Sequence, residues 1–123
     1  VADYTPVNKL CQKFKKEQGA PEIKLQETKD ILASMGETKK SQFLVGFALE
    51  TNDEITNAQS KLERKNLDLI VLNSLNDKGA GFQCDTNKVS ILSKHNKMLS
   101  FELKSKQEVA QDIVNTILNE INA

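Results

Sequence analysis

The sequence predicts an α/β fold, and three observations carry that prediction. A continuous apolar run at Gln42–Leu49 and a second at residues 67–73 flank a segment with a helix-capping signal and a helical apolar stripe. Apolar runs without polar alternation suit strands covered on both faces of a parallel sheet. Asn52 or Asp53 can cap a helix from about Glu54 to Asn66, in which Ile55, Ala58 and Leu62 face inward while Lys61 and Lys65 sit one turn apart beside that stripe. Strand, helix and strand together make a βαβ unit.

The remaining elements follow in chain order. Residues 1–19 hold few periodic apolar positions and read as a loop carrying Lys13, Phe14, Lys15 and Lys16 ahead of Gly19. From Pro21, Ile23 and Leu25 alternate with polar residues as in a strand. Ile31, Leu32 and Met35 give a short helix over Lys29–Met35, with Gly36 as its stop. After the βαβ unit, a glycine-containing loop leads to an antiparallel pair, Asn87–Leu92 and Met98–Leu103. A final helix runs from Ser105 to about Asn122. Ser105 and Glu108 have capping-box spacing, and Ala110, Ile113, Val114, Ile117 and Ile121 form its apolar face. The expected architecture is part of a Rossmann-like three-layer open sheet of three or four parallel strands, with an antiparallel strand pair near the C-terminus. It forms one domain, with residues 1–19 as a flap or loop and 20–123 as the α/β core.

Composition narrows the function. Seventeen Lys and Arg balance seventeen Asp and Glu, so no net positive field draws the chain to nucleic acid or an anionic bilayer. Aromatic residues make up 5% and there is no Trp, which leaves little for base-stacking platforms. No apolar stretch approaches the roughly 20 residues of a membrane span, and no leader is legible. The expectation is a soluble, cytoplasmic protein without nucleic-acid or membrane partners. Two cysteines, Cys11 and Cys84, are too few for a disulfide framework, and His95 stands alone. Both cysteines read as small residues without a catalytic partner, and His95 as an exposed turn residue.

Charge is concentrated locally. Lys13, Lys15 and Lys16 place three ammonium groups within four residues, a set able to fold over a polyanion and offset charge developing in nucleotidyl transfer. Lys61 and Lys65 share one helical face near the carboxyl ends of the strands, where open α/β sheets bind ligands. On spacing alone, each set reads more readily as a solvated charged surface. Gly79–Phe82 lacks both the GxGxxG and the GK[ST] patterns and reads as a turn. Asp3 and Asp30 are hard oxygen donors suited to Mg²⁺, or simply turn and helix-start carboxylates.

Taken in order, VADYTP at the start, KxKK at 13–16, KDIL at 29–32, VGFALET at 45–51, the helix with Lys61 and Lys65, KNLDLIVLN at 65–73 and GAGFQCDTNKV at 79–89 resemble the carboxyl-terminal half of bacterial phosphopantothenoylcysteine synthetase. This family is also called phosphopantothenate–cysteine ligase and in many bacteria is fused behind a flavin-dependent decarboxylase. The resemblance covers nearly all of residues 1–121. It implies a step of coenzyme A synthesis: CTP activates the carboxylate of 4′-phosphopantothenate as an acyl-cytidylate, and the amine of cysteine displaces CMP. Mg²⁺ accompanies the triphosphate, and FMN belongs only to the fused decarboxylase.

Carried over position by position, the resemblance implies a nucleotide contact at Asp3, with Mg²⁺ as its possible ion, and a catalytic flap lysine at Lys13. It further implies CTP contacts at Lys29, Asp30, Ile31, Leu32 and Phe47, and at the helix lysines Lys61 and Lys65. Lys29 stands where the family usually has Pro, which touches local geometry more than function. The family's glycine-rich first strand and its asparagine for the cysteine-dependent half reaction have no counterpart here, so the chain is expected to be inactive alone. Family members are dimers, and the antiparallel pair is a candidate dimerisation arm. Two rival readings are a non-catalytic dimerisation fragment and a dinucleotide-binding domain of an oxidoreductase.

Overall fold

The computed structural model describes residues 2–74 and 84–123. Their contacts divide the chain into two compact units, Val1–Ile31 and Leu32–Ala123.

In the first unit, β1 (Tyr4–Pro6) pairs antiparallel with β2 (Leu25–Glu27), with Tyr4 opposite Glu27. Val7 N donates to Lys24 O at 2.9 Å and Thr28 N to Asp3 O at 2.8 Å, extending the ladder at both ends. The stretch read as a loop therefore carries a strand, and the strand expected from Pro21 narrows to three residues. Ile23 and Leu25 both stand exposed, because a two-stranded ribbon has no second layer of its own to bury them. Between the strands, a single 3-10 turn spans Lys16–Gln18 and ends at Gly19, whose φ of +84° suits glycine.

The second unit is built on α1 (Ile31–Thr38, starting at the boundary), β3 (Val45–Glu50), α2 (Glu54–Arg64), β4 (Leu69–Ser74), β5 (Thr86–Asn87), β6 (Val89–Ser93), β7 (Met98–Ser100), β8 (Lys104–Ser105) and α3 (Lys106–Asn122). Among the described residues its main sheet runs β3-β4-β6-β7. β3 and β4 are parallel, with Val45 opposite Leu69 and Glu50 opposite Ser74, and α2 crosses between them. β6 joins β4 antiparallel, and β7 joins β6 antiparallel. The βαβ unit and the hairpin stand as expected, but the sheet is mixed, and among the described residues it has one parallel pair where three or four parallel strands were expected. β5 and β8 form a small separate ladder ahead of α3.

Alternation along β4 sets the three layers. Ile70 and Leu72 pack with Ala48, Ala58 and Leu62 on the α2 side, with Leu32 of α1 against them. Leu69 and Val71 pack with Val89, Ile91 and Val109 on the α3 side, joined by Ile113 and Ile117. Each fully buried Leu, Ile or Val side chain among them contributes about 1.5–3 kcal/mol, so the central strand, buried on both faces, anchors the unit.

Three local expectations are corrected. β3 is an edge strand of this sheet, covered by α2 on the Gly46 and Ala48 face, while Phe47 on the other face is 72% exposed. Ile55 is also exposed, leaving Ala58 and Leu62 as the inward stripe of α2. In α3 Ile113 and Ile117 of the expected face do pack on the core, but Val109 and Thr116 complete it, whereas Ala110, Val114 and Ile121 point to solvent. The helix carries two apolar stripes, and the sheet selects the one that meets Val71 and Val89.

Gly36 lies inside α1 rather than ending it. A Cβ at this position would sit 1.9 Å from Lys65 O, so the glycine is required by the close approach of two backbones. Asn66 completes the contact by donating to Gly36 O at 3.0 Å. The start of α3 matches its reading: Ser105 Oγ accepts from Glu108 N at 3.2 Å and Ser105 N donates to Glu108 Oε2 at 3.0 Å. That capping box holds the Glu108 carboxyl below its usual range.

Candidate functional site

Polar groups gather at both ends of the parallel pair. At the amino end, Asp68 precedes β4 and is 3% exposed. Its Oδ2 accepts from Lys39 Nζ at 2.6 Å and from Leu44 N at 2.8 Å, and its Oδ1 from Lys94 Nζ at 2.5 Å. Burial favours the neutral acid, but the Lys39, Lys94 and Leu44 hydrogen bonds outweigh it and hold the carboxyl below the usual aspartate range. The backbone joins in: Asp68 N donates to Leu44 O, and Lys94 N to Asp68 O. One carboxylate thus ties the β6–β7 turn and the residues before β3 to the start of β4.

At the carboxyl end, β3 finishes at Glu50, and Asp53 turns the chain into α2 with a left-handed φ of +44° that aspartate tolerates. Asp53 makes no side-chain cap; its carbonyl accepts from Asn57 N at 2.9 Å, and Asn57 Nδ2 donates to Asn52 O at 3.0 Å. Side chains on a helix lean toward its N-terminus, so Lys61 reaches back to the strand end and pairs with Glu50 Oε1. Ser74, opposite Glu50 in the ladder, donates from Oγ to Glu54 Oε1 at 2.6 Å. Lys65, expected at the carboxyl ends of the strands with Lys61, is instead half-buried at the C-cap of α2, where the helix has returned to the amino end of β4.

On the α3 side of the same strands lies a cavity of about 300 Å³. Phe47, Leu49, Val71 and Ile113 give it apolar walls, and Asn73, Asn87 and Lys106 bring polar groups. Among the described residues, the buried Asn73 Oδ1 atom meets no hydrogen-bond partner.

The residues singled out by sequence fall in both units. In the first, ladder pairing brings Asp3 alongside the Thr28–Asp30 stretch. Asp3, Lys29, Asp30 and Ile31 are all exposed there, as are Lys13, Lys15 and Lys16 in the connection between β1 and β2. In the second, Leu32 packs on the α2-side core, Phe47 lines the cavity on the opposite face, and Lys61 and Lys65 lie on α2. Gly79–Phe82 lies outside the described residues. Among the described residues, no three His, Cys, Asp or Glu side chains are grouped to hold a metal. No helix among them is long and apolar enough to cross a membrane. Cys11 and Cys84 are free thiols, and His95 is exposed in the β6–β7 turn. Sequence reasoning did not single out Glu50, Asp68 or Asn73. The signal at Asp68 and Asn73 was a polar residue within or beside an apolar run, a costly placement unless it is paired.

Comparison with known proteins places the chain in context. Residues 1–121 match the family described as the DNA/pantothenate metabolism flavoprotein C-terminal domain. A protein named cysteine/cysteine sulfinic acid decarboxylase, from an unknown prokaryotic organism, is 57% identical over 96% of this chain and 33% of its own length. The coenzyme A biosynthesis bifunctional protein CoaBC of Bacillus subtilis (strain 168) is 45% identical over 95% of this chain and 29% of its own. Among solved structures, the C-terminal domain of a coenzyme A biosynthesis bifunctional protein CoaBC superposes with a TM-score of 0.68 at 39% identity, over 80% of this chain and 47% of that one. The chain therefore spans about a third of the length of these two relatives.

Proposed function

The chain belongs to the DNA/pantothenate metabolism flavoprotein C-terminal domain family, and on that footing we propose that it carries the nucleotide-binding part of a CTP-dependent phosphopantothenate–cysteine ligase acting in coenzyme A biosynthesis. The observation that carries the reading is the βαβ unit with Lys61 presented at the carboxyl end of β3, where an open α/β sheet receives a ligand. The CoaBC relatives support the same assignment. The 57% identical relative is named a decarboxylase; in our reading neither a decarboxylase activity nor FMN belongs to this chain.

In this reading the carboxylate of 4′-phosphopantothenate attacks the α-phosphorus of CTP and expels pyrophosphate. The cysteine amine then attacks the acyl carbon and expels CMP. The chain's own part is positioning and charge stabilisation, which lysines and backbone groups supply without a covalent intermediate. Lys61 holds phosphate oxygens at the strand end; Lys65, at the far end of α2, and Phe47, Leu32 and the Lys29–Ile31 stretch are nucleotide contacts that the family resemblance alone implies. For Asp3 and Lys13, in the first unit, the resemblance implies a nucleotide contact and a role in turnover of the activated acid. Mg²⁺ would accompany the nucleotide phosphates, a hard cation suited to oxygen ligands, and Asp3 is the carboxylate that the resemblance implies for it. β7, an edge strand with Met98 and Leu99 half-exposed, is the proposed dimer contact.

The test is CMP release from CTP by the full-length protein in the presence of 4′-phosphopantothenate and cysteine. Release that requires both acid and CTP is expected, and none from the 123 residues alone. A full-length protein that releases no CMP overturns the reading.

A further inference from the structure

The ion pair at the carboxyl end of β3 has an asymmetry that points to a division of labour. The Glu50 side chain is 13% exposed and that of Lys61 35%. Glu50 is fixed by its place in the parallel ladder, and its second oxygen, Oε2, lies 3.4 Å from Asn57 Nδ2. Lys61 hangs on a four-carbon stem that, left alone, samples many rotamers. An ammonium has three N–H donors, and the bond to Glu50 uses one of them. From this geometry we propose that Glu50 is a positioning residue for the nucleotide: it holds Lys61 at the strand end with two donors that meet no other partner among the described residues and can donate to phosphate oxygens.

The inference rests on the CTP-dependent reading and deepens it. A paired Lys61 adds little net charge to the site, so its contribution to triphosphate binding comes from directed N–H groups already in place. Ordering a long side chain in advance removes a cost that would otherwise be met on binding. The carboxylate, the more buried partner, sits behind the ammonium, so phosphate adds to the pair instead of displacing it.

Four full-length variants test this: Glu50→Gln, Glu50→Asp, Lys61→Ala, and the double variant Glu50→Gln with Lys61→Ala. The readouts are KM for CTP and kcat from CMP release. Glu50→Gln is expected to raise KM for CTP about tenfold with kcat within about twofold, the signature of lost binding shared by ground and transition states. Glu50→Asp, which keeps the charge, is expected to recover most of that loss. The double variant should be no worse than Lys61→Ala alone, since both changes remove one interaction. An unchanged or lowered KM in Glu50→Gln, or losses that multiply in the double variant, overturns the inference while leaving the CTP reading intact. If Glu50→Gln does not fold, Glu50→Asp decides: a modest rise in KM with kcat kept supports the role, and no rise overturns it. A wild-type protein without CMP release overturns the CTP reading itself.

Discussion

The two ends of the β3–β4 pair use the same residue types for opposite purposes. At the amino end, Asp68 is buried and accepts from two lysines and a backbone N–H, leaving an ammonium or a strand start on every side. At the carboxyl end, Glu50 and Lys61 form a single pair whose cation is the more open partner. A saturated buried carboxylate stabilises a fold; a half-open lysine held by a carboxylate can still take a ligand. Acid–lysine pairing is thus not a functional signal in itself, and burial with donor saturation separates the two cases.

The largest effect expected is at the amino end. Asp68→Ala strips two lysines and Leu44 N of their acceptor at once, and a loss of about 3–5 kcal/mol, measured by denaturant unfolding, is expected for removing one partner from a buried ionic group. A loss below about 1 kcal/mol, the scale of exposed pairs, would erase the contrast between the ends. Next is Lys13→Ala, which tests whether function extends beyond the carboxyl end to the basic connection between β1 and β2. In the full-length protein, CTP binding measured by calorimetry should persist while turnover falls about a hundredfold, roughly 2.7 kcal/mol of transition-state stabilisation. Wild-type turnover would remove Lys13 from the mechanism.

A smaller effect follows from pH. Because the folded-state pKa of Asp68 lies below its unfolded value of about 3.9, its stabilisation is fully present above that value. It is lost as pH falls through the lower folded value. Thermal midpoints should therefore drop below about pH 4, and Asp68→Asn should flatten that drop. A drop of equal size in the variant would assign the acid sensitivity to other carboxylates, Glu108 among them, whose pKa is depressed in the same direction.

How much of this was legible depended on the range of the interaction. The βαβ unit was readable because Gln42–Leu49 and residues 67–73 are apolar runs on either side of a cap, all local signals. The same runs could not reveal that Phe47 lies on an open face, since apolarity does not distinguish an edge strand from a central one. Gly36 was read as a stop because glycine ends helices. Its actual cause, the carbonyl of Lys65, lies 29 residues away in sequence and is invisible to any local window. In α3 two apolar stripes were present, and only the sheet could choose between them. Lys61 was singled out by spacing and resemblance, whereas its partner Glu50 needed the strand end and the helix to be seen together.

The contrast between the two ends is tested most directly by a crossed pair of variants in the full-length protein, Lys61→Ala and Lys94→Ala, each measured for KM of CTP and for thermal midpoint. Lys61→Ala should raise KM about tenfold and move the midpoint little, while Lys94→Ala should lower the midpoint by several degrees, for a loss of about 1 kcal/mol, and leave KM unchanged. If Lys94→Ala raises KM and Lys61→Ala acts only on the midpoint, the nucleotide site has been placed at the wrong end of the strands.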